Sequence, residues 1–311
     1  MDGNLFALIT GANKGIGFQI AALLLKRDYS NILITARNEK RGTQARDQLA
    51  KNFPSKKILF LQLDVTDPQS IQGAARTVRE ENIRLGAIIH NAGIWPPSAH
   101  LDQNLFGSAQ DFKDTLAVNF YGVVAVSRAF IPHLATGGRI VMVGSGMGPS
   151  YVERCGAGPR ATLTEMNVPF SSLESLCAEA IAVAEKLGPD DDAEQAFQAV
   201  GLSSSAYGLT KAAVTAFAMV LARERPDLKV SSCSPGMIET DMVRAIAEKK
   251  GKKAEDWGAL PVEKGALCPV YLTMDPVPSP PGEAWFFGSD MQRSPLDRYR
   301  APGSAPFCPQ A

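Results

Sequence analysis

Six short, almost uninterrupted apolar runs alternate with segments of helical period, and this alternation constrains the fold more than any other feature of the chain. The runs are Leu5–Ile9, Ile32–Thr35, Ile58–Leu63, Ala87–Ile89, Ile140–Val143 and Val230–Ser234. Strands that are apolar on both faces are buried on both, as in a parallel sheet covered by helices. The segments between them carry helix signals. Gly15–Arg27 opens on a glycine loop, Glu39–Lys51 is amphipathic, and Asp67-Pro68 supplies a cap and a first-turn proline to a helix ending near Glu81. Repeated strand–helix–strand units predict an α/β fold, a doubly wound parallel sheet flanked by helices with right-handed crossovers.

Residues 146–202 interrupt the pattern with no strand-like run. Leu173, Leu176, Cys177, Ala180, Ile181, Ala184 and Leu187 recur at helical spacing; Ser171 and Glu174 suggest a capping box, and Gly188-Pro189 a stop. A second short helix follows the acids Asp190–Asp192, which read as its solvated start. This stretch is expected to be a helical insertion packed on a single domain spanning residues 1–299. The tail at 300–311, rich in Pro, Gly and Ser, is expected to be poorly ordered.

The 32 acidic and 32 basic side chains cancel. A nucleic-acid or anionic-membrane surface would call for a basic excess, so neither partner is expected. The five cysteines, Cys155, Cys177, Cys233, Cys268 and Cys308, are scattered, with no CxxC pair and no His cluster. That pattern argues against a metal site and against a disulfide framework, and it fits a reducing, cytoplasmic compartment. No uninterrupted apolar run approaches the ~18 residues that would span a bilayer. Leu5–Ile9 reads as a core strand rather than part of a signal peptide. Cys308-Pro309-Gln310-Ala311 matches a prenylation box only superficially, because its middle positions are not aliphatic.

Thr10-Gly11-Ala12-Asn13-Lys14-Gly15-Ile16-Gly17 sits where the first strand hands over to the first helix. Glycines there let the backbone turn sharply and approach a pyrophosphate, and the free N–H groups of the helix start face its charge. The spacing is GxxxGxG rather than GxGxxG, and a glycine loop alone can be an ordinary turn; its place in a βαβ unit points to a dinucleotide and a Rossmann-like sheet. An NAD site wants a carboxylate at the end of the second strand, for the ribose 2′-hydroxyl. Here Arg37 and Arg41 follow instead, with Lys14 in the loop. Cations at a helix start oppose its dipole unless they meet a phosphate, so NADP(H) is the expected cofactor.

Tyr207 and Lys211 are four residues apart in an apolar helical run, so both side chains leave one face. A phenol of ordinary pKa near 10 is a poor acid at neutral pH. A cation about 4 Å away would contribute roughly 4 kcal/mol at an effective dielectric of 20, about three pKa units. YxxxK alone is common. TGANKGIG, Asp64-Val65, Asn91-Ala92-Gly93, Asn119, Ser145, the Tyr207/Lys211 pair and Pro235-Gly236 nevertheless occur in one order with compatible spacings. In this set the chain resembles the short-chain dehydrogenase/reductase family and, within it, the monomeric NADPH-dependent carbonyl reductases. The likeness runs from residue 5 to about 290 and takes in Pro261–Leu272.

The resemblance implies roles. Tyr207 would protonate the carbonyl oxygen as hydride arrives, Ser145 would hydrogen-bond that oxygen, and Lys211 would lower the tyrosine pKa and hold the nicotinamide ribose. Asn119 would anchor a water leading protons to Lys211. Asp64 and Val65 would sit against the adenine, Asn91, Ala92 and Gly93 would line the cofactor, and Pro235, Gly236, Ile238 and Thr240 would close over its nicotinamide end. Trp95, Met147 and Met237 are candidate substrate walls, although the first two could equally be core. His90 reads as a packing residue rather than an acid or base.

Two departures stand out: Gly144 precedes Ser145 where the family often has a second serine, and Met237 stands where similar carbonyl reductases place an aromatic. Family members usually dimerise through the helix bearing the tyrosine and lysine. The 62 positions between Ser145 and Tyr207 exceed the usual gap, and an insertion covering that helix would leave a monomer. The expected activity is NADPH-dependent reduction of an aldehyde, ketone or quinone. The rival readings are a dehydrogenase or ketoreductase dedicated to one pathway, and a silent NADP-sensing scaffold.

Overall fold

The computed structural model describes residues 4–96, 108–188 and 190–308. The expected strands are all present: β1 (Phe6–Ile9), β2 (Asn31–Ala36), β3 (Lys57–Gln62), β4 (Leu85–His90), β5 (Leu134–Val143) and β6 (Lys229–Cys233). Two short ones follow, β7 (Trp285–Phe287) and β8 (Arg293–Ser294). They form one sheet in the order β3-β2-β1-β4-β5-β6-β7-β8, parallel throughout except for the β7–β8 pair. β1 and β2 are buried along their whole length, which is why their sequences show no polar alternation.

Helices cover both faces. On one face α1 (Gly15–Lys26), α2 (Glu39–Asn52) and the helix Leu267–Met274 share a core with Ile9, Ile34 and Ile89. On the other lie α3 (Pro68–Glu80), α4 (Ala109–Leu116), α5 (Gly122–Phe130) and α10 (Ala206–Glu224). The caps follow the sequence: Asp67 accepts from the Gln69 N–H at 2.9 Å ahead of Pro68, and Asn38 accepts from the Arg41 N–H at 2.9 Å. A π-helical turn, Ala117–Tyr121, joins α4 to α5. By length and composition the continuous helix Ala109–His133 could cross a bilayer, but Phe112, Leu116, Phe120 and Phe130 are wholly buried against the protein's own core.

Residues 146–202 hold four helices: α6 (Met147–Glu153), α7 (Ala157–Thr164), α8 (Phe170–Lys186) and α9 (Ala193–Ala199). α8 packs on α4 and α10 through Leu173, Leu176, Cys177 and Ala180. The expected capping box is absent. α8 starts one residue before Ser171, after Pro169 in extended conformation, so the Ser171 hydroxyl lies inside the first turn and cannot cap it. The cap on α9 is Asp192, which accepts from the Gln195 N–H at 3.1 Å. Pro189 lies outside the described residues, as do residues 309–311.

At the end of the chain, residues 300–308 form no helix or strand, yet they are tied down rather than loose. The Arg300 guanidinium donates to both Asp290 carboxylate oxygens, at 3.1 and 2.8 Å.

Candidate active site

The strand order turns at β1, with β2 on one side and β4 on the other. Open α/β sheets bind ligands at such a point, beyond the carboxyl ends of the strands. The glycine loop stands there. Gly11 has a φ of +63°, and a Cβ on it would lie 3.0 Å from the Ala92 Cα. Gly15 has a φ of +58°, with no atom within 4 Å of where its Cβ would be. Gly17 is required by packing: a side chain there would strike the Asn91 amide at 2.4 Å and the Gly11 carbonyl at 2.7 Å. α1 begins with no side-chain cap and no acid in its first turn, leaving its first N–H groups free to meet an anion.

The segment after β4 is laced to this loop. The Asn91 side chain donates to the Thr10 and Gly11 carbonyls at 2.9 and 3.2 Å, and the Thr10 hydroxyl accepts from the Asn91 and Ala92 N–H groups, both at 3.0 Å. Sequence reasoning missed Thr10 as the organiser, although it is the first residue of the glycine motif. Ile16 and Ile238 meet over Gly265. Lys14 is salt-bridged to Asp241 at 2.6 Å, with both side chains exposed. Asn13 lies half-buried in the loop, while Arg37 and Arg41 are exposed at the start of α2.

Asp64 follows β3, with its carboxylate accepting from the Thr66 N–H and hydroxyl at 2.9 and 2.7 Å. Burial raises its pKa, but those bonds and the Arg37 charge outweigh it and hold the group below the usual carboxylate range. The Val65 carbonyl packs against Gly122 of α5.

Tyr207 opens α10, behind a Ser205 cap that accepts from the Gly208 N–H at 3.0 Å. Its phenol lies beside the Ser145 side chain, and its ring lies 4.7 Å from that of Trp95. One turn on, the Lys211 amine lies 5.4 Å from the Tyr207 ring centre and donates to the Val143 carbonyl at 2.9 Å. Asn119, buried in the π-helical turn, holds Ile94 at both ends: the Ile94 N–H donates to its Oδ1 at 2.8 Å, and its Nδ2 donates to the Ile94 carbonyl at 2.9 Å. A Cβ on Gly93 would stand 3.2 Å from Asn119 Oδ1 and 3.7 Å from Lys211 Nζ, so the space between those two groups exists because residue 93 has no side chain.

The pKa pattern departs from the sequence expectation. Tyr207 is half-buried as a whole residue, but its phenol is closely surrounded by protein; burial pushes it up well above 10, against a smaller lowering by Ser145. Lys211 is turned to a carbonyl, and burial pushes its own pKa down to about 8. In this arrangement the phenol is firmly protonated at neutral pH. His90 is buried beside the Ser127 hydroxyl at 2.9 Å, and burial lowers its pKa to about 3. It is a neutral packing residue, as the sequence suggested.

The loop after β6 completes the cluster. Ser234 was assigned only as a strand end, yet its hydroxyl accepts from the Gly146 N–H at 3.1 Å and the Gly236 N–H at 3.2 Å, tying the two loops together. Gly236 takes a φ of +91°, and Pro235 lies half-buried beside it. Thr240 caps α11 (Asp241–Lys249), accepting from the Val243 N–H at 3.3 Å. Met147 is half-buried at the start of α6, and Met237 is 51% exposed.

Comparison with known proteins agrees with this architecture. Residues 5–157 and 195–251 match the family model described as short chain dehydrogenase. The chain is 32% identical to NADPH carbonyl reductase 3 of Mus musculus, over 87% of this chain and 91% of that one. It is 30% identical to (+)-neomenthol dehydrogenase of Arabidopsis thaliana, over 90% and 95%. Among solved structures, salutaridine reductase from Papaver somniferum superposes with a TM-score of 0.73 at 24% identity, covering 91% of this chain and 99% of that one. At that identity the likeness speaks for the fold. The matched model and the carbonyl reductase relatives together identify the chain as an oxidoreductase that belongs to the short-chain dehydrogenase family.

Proposed function

We propose that this protein reduces aldehyde, ketone or quinone carbonyls to alcohols with NADPH. The observation that carries the reading is the Tyr207 phenol beside the Ser145 side chain, its ring tilted against Trp95 at 4.7 Å and the Lys211 amine 5.4 Å from the ring centre. Its NADPH carbonyl reductase relatives support the same direction.

The crevice fits a dinucleotide. Gly15 leaves open space above its Cα, and the uncapped start of α1 presents N–H groups to a pyrophosphate. Gly11, Asn13, Lys14, Gly15, Ile16 and Gly17 would hold that part, with Asp64 and Val65 at the adenine and Asn91, Ala92 and Gly93 along the body. Pro235, Gly236, Ile238 and Thr240 would close the nicotinamide end. Arg37, Arg41 and Lys14 would receive the 2′-phosphate that distinguishes NADPH, with Lys14 exchanging its Asp241 partner for it.

When bound, the nicotinamide supplies the hydride. The residues of this chain manage the proton. Ser145 and Tyr207 would both hydrogen-bond the substrate oxygen, and Tyr207 would transfer its phenolic proton as negative charge develops there, a general-acid role. A raised pKa suits this direction, since the donor must arrive protonated. Lys211 would leave the Val143 carbonyl for the cofactor ribose and stabilise the phenolate that remains. Through the gap left by Gly93, a water held by Asn119 would return the proton. Trp95, Met147 and Met237 would flank the substrate. We also read the protein as a monomer, since α8 covers the face that dimeric relatives use.

Loss of NADPH absorbance with a panel of carbonyl compounds tests this directly. Tyr207→Phe should cut turnover by ~10²–10⁴ while NADPH binding stays nearly intact. NADPH binding with no turnover of any carbonyl by the unmodified protein would support the sensor reading instead.

A further inference from the structure

Residues 288–300 form a strap that packs against the loops after β5 and β6, at Gly146 and Gly236. Its anchor is the Arg300–Asp290 pair, in which the arginine side chain is only 6% exposed. Arg300 also donates to the Ser304 and Ala305 carbonyls at 2.6 and 2.9 Å, and the Gly303 N–H donates to Asp290 at 2.8 Å. A guanidinium satisfied on all sides and shielded from water holds its neighbours more firmly than a surface ion pair does.

The strap presses on both loops of the site. A Cβ on Gly236 would lie 3.2 Å from the Ser289 side chain. The Tyr299 ring occupies the side-chain position of Gly146, where a Cβ would stand 2.6 and 3.0 Å from ring carbons. Gly146 has a φ of −59°, which any residue can adopt, so it is the ring and not the backbone that requires glycine there. Gly146 directly follows Ser145, the partner of the Tyr207 phenol. Tyr299 is nonetheless 52% exposed. Met237 is 51% exposed, on the loop that Ser234 ties to Gly146.

We infer that Tyr299 is a specificity-determining residue, the outer wall of the substrate pocket, and that Arg300 and Asp290 are the pair that positions it. An aromatic ring fixed beside a carbonyl-binding hydroxyl selects carbonyl compounds flanked by an aromatic or other flat apolar group over short aliphatic aldehydes. This inference rests on the carbonyl-reductase reading.

The test compares NADPH-dependent reduction of 4-nitrobenzaldehyde and propanal. Tyr299→Ala should raise KM for the aromatic aldehyde about tenfold, the scale of a lost apolar contact, with kcat and the propanal KM unchanged. Tyr299→Phe should keep the original KM, and Arg300→Met should reproduce the rise by releasing the strap. Gly146→Ala should displace the ring and raise the same KM, but add little in a chain already carrying Tyr299→Ala. That last comparison decides the matter even if one single variant is unstable. Equal KM changes for both substrates, no change for either, or additive effects of Gly146→Ala and Tyr299→Ala would overturn the inference. If the unmodified protein reduces neither aldehyde, nor any other carbonyl compound, the reading beneath it has failed, and the inference fails with it.

Discussion

The Lys211 amine donates a 2.9 Å hydrogen bond to the Val143 carbonyl, so the end of β5 and the first turns of α10 are joined beneath the Tyr207 ring. One neutral acceptor does not replace the water lost on burial. The amine's pKa falls from 10.5 to about 8 for that reason. Between those values the unfolded chain keeps the proton and the folded chain releases it. The lysine's contribution to stability therefore rises with pH across that window, and below about 8 its penalty is fully present. Lys211→Met removes the penalty, on the order of 3 kcal/mol at neutral pH. Urea unfolding at pH 7 and pH 10 should show the unmodified protein gaining on Lys211→Met as pH rises. A constant difference between the two would contradict the burial argument.

Ser234 accepts from two backbone N–H groups on different loops, Gly146 and Gly236. Replacing it with Ala leaves both donors without their partner, at a cost of about 1–3 kcal/mol for a buried pair, less where water enters. Because the loops carry Ser145 and the residues around Met237, kcat should fall about tenfold or more, while a cofactor held mainly by the glycine loop still binds. Stopped-flow NADPH binding beside steady-state turnover would separate the two. Parallel losses in both would mean that Ser234 supports the cofactor instead.

The doubly wound sheet was legible because fully buried strands write themselves as continuous apolar runs: Leu5–Ile9 differs from β1 by one residue at its start, and Ile32–Thr35 from β2 by one residue at each end. β7 and β8 were not legible. Three residues and two residues are too short for any period to show, and β8 is an edge strand held by pairing with β7. Tyr207 and Lys211 were visible through their four-residue spacing, and Ser145 through its place in the ordered motif set despite an unusually long gap; the structure brings the three together. The positioning residues were not, since Thr10 and Ser234 act through backbone groups, and Arg300 through a pairing with Asp290, that sequence spacing does not encode. The anchor of the tail was hidden for a related reason. Its Pro/Gly/Ser content reads as loose chain, but the Arg300–Asp290 pair supplies the anchor that composition cannot reveal.

Arg37 and Arg41 stand exposed at the start of α2, and no carboxylate occupies the end of β2. A charge-assisted bond to a 2′-phosphate contributes about 1.5–3 kcal/mol, discounted here for exposure. Arg37→Asp should therefore lower the ratio of NADPH to NADH kcat/KM by about tenfold or more. Equal use of both cofactors by the unmodified protein would rule out the phosphate role of these cations.

The proposed monomer rests on α10. Every residue of that helix from Gly208 to Ala222 is buried, so it has no bare face left to offer a second copy. Part of that cover is α8, which lays Leu173, Leu176, Cys177 and Ala180 against α4 and α10. Polar contacts at the margins hold it there. Lys113 of α4 is salt-bridged to Glu185 of α8 at 2.6 Å, and Arg223 at the end of α10 donates to the Val168 carbonyl at 2.9 Å, just ahead of α8. A dimer through α10 would have to lift α8 off and expose that apolar stripe, which costs about 25 cal/mol for each Å² uncovered. Light scattering at micromolar concentration should give the mass of one 33.3 kDa chain. Leu176→Asp, which places a charge in the α8 seam, should loosen α8 and lower the melting temperature before any dimer forms. A mass of twice the chain for the unmodified protein would show that another face pairs.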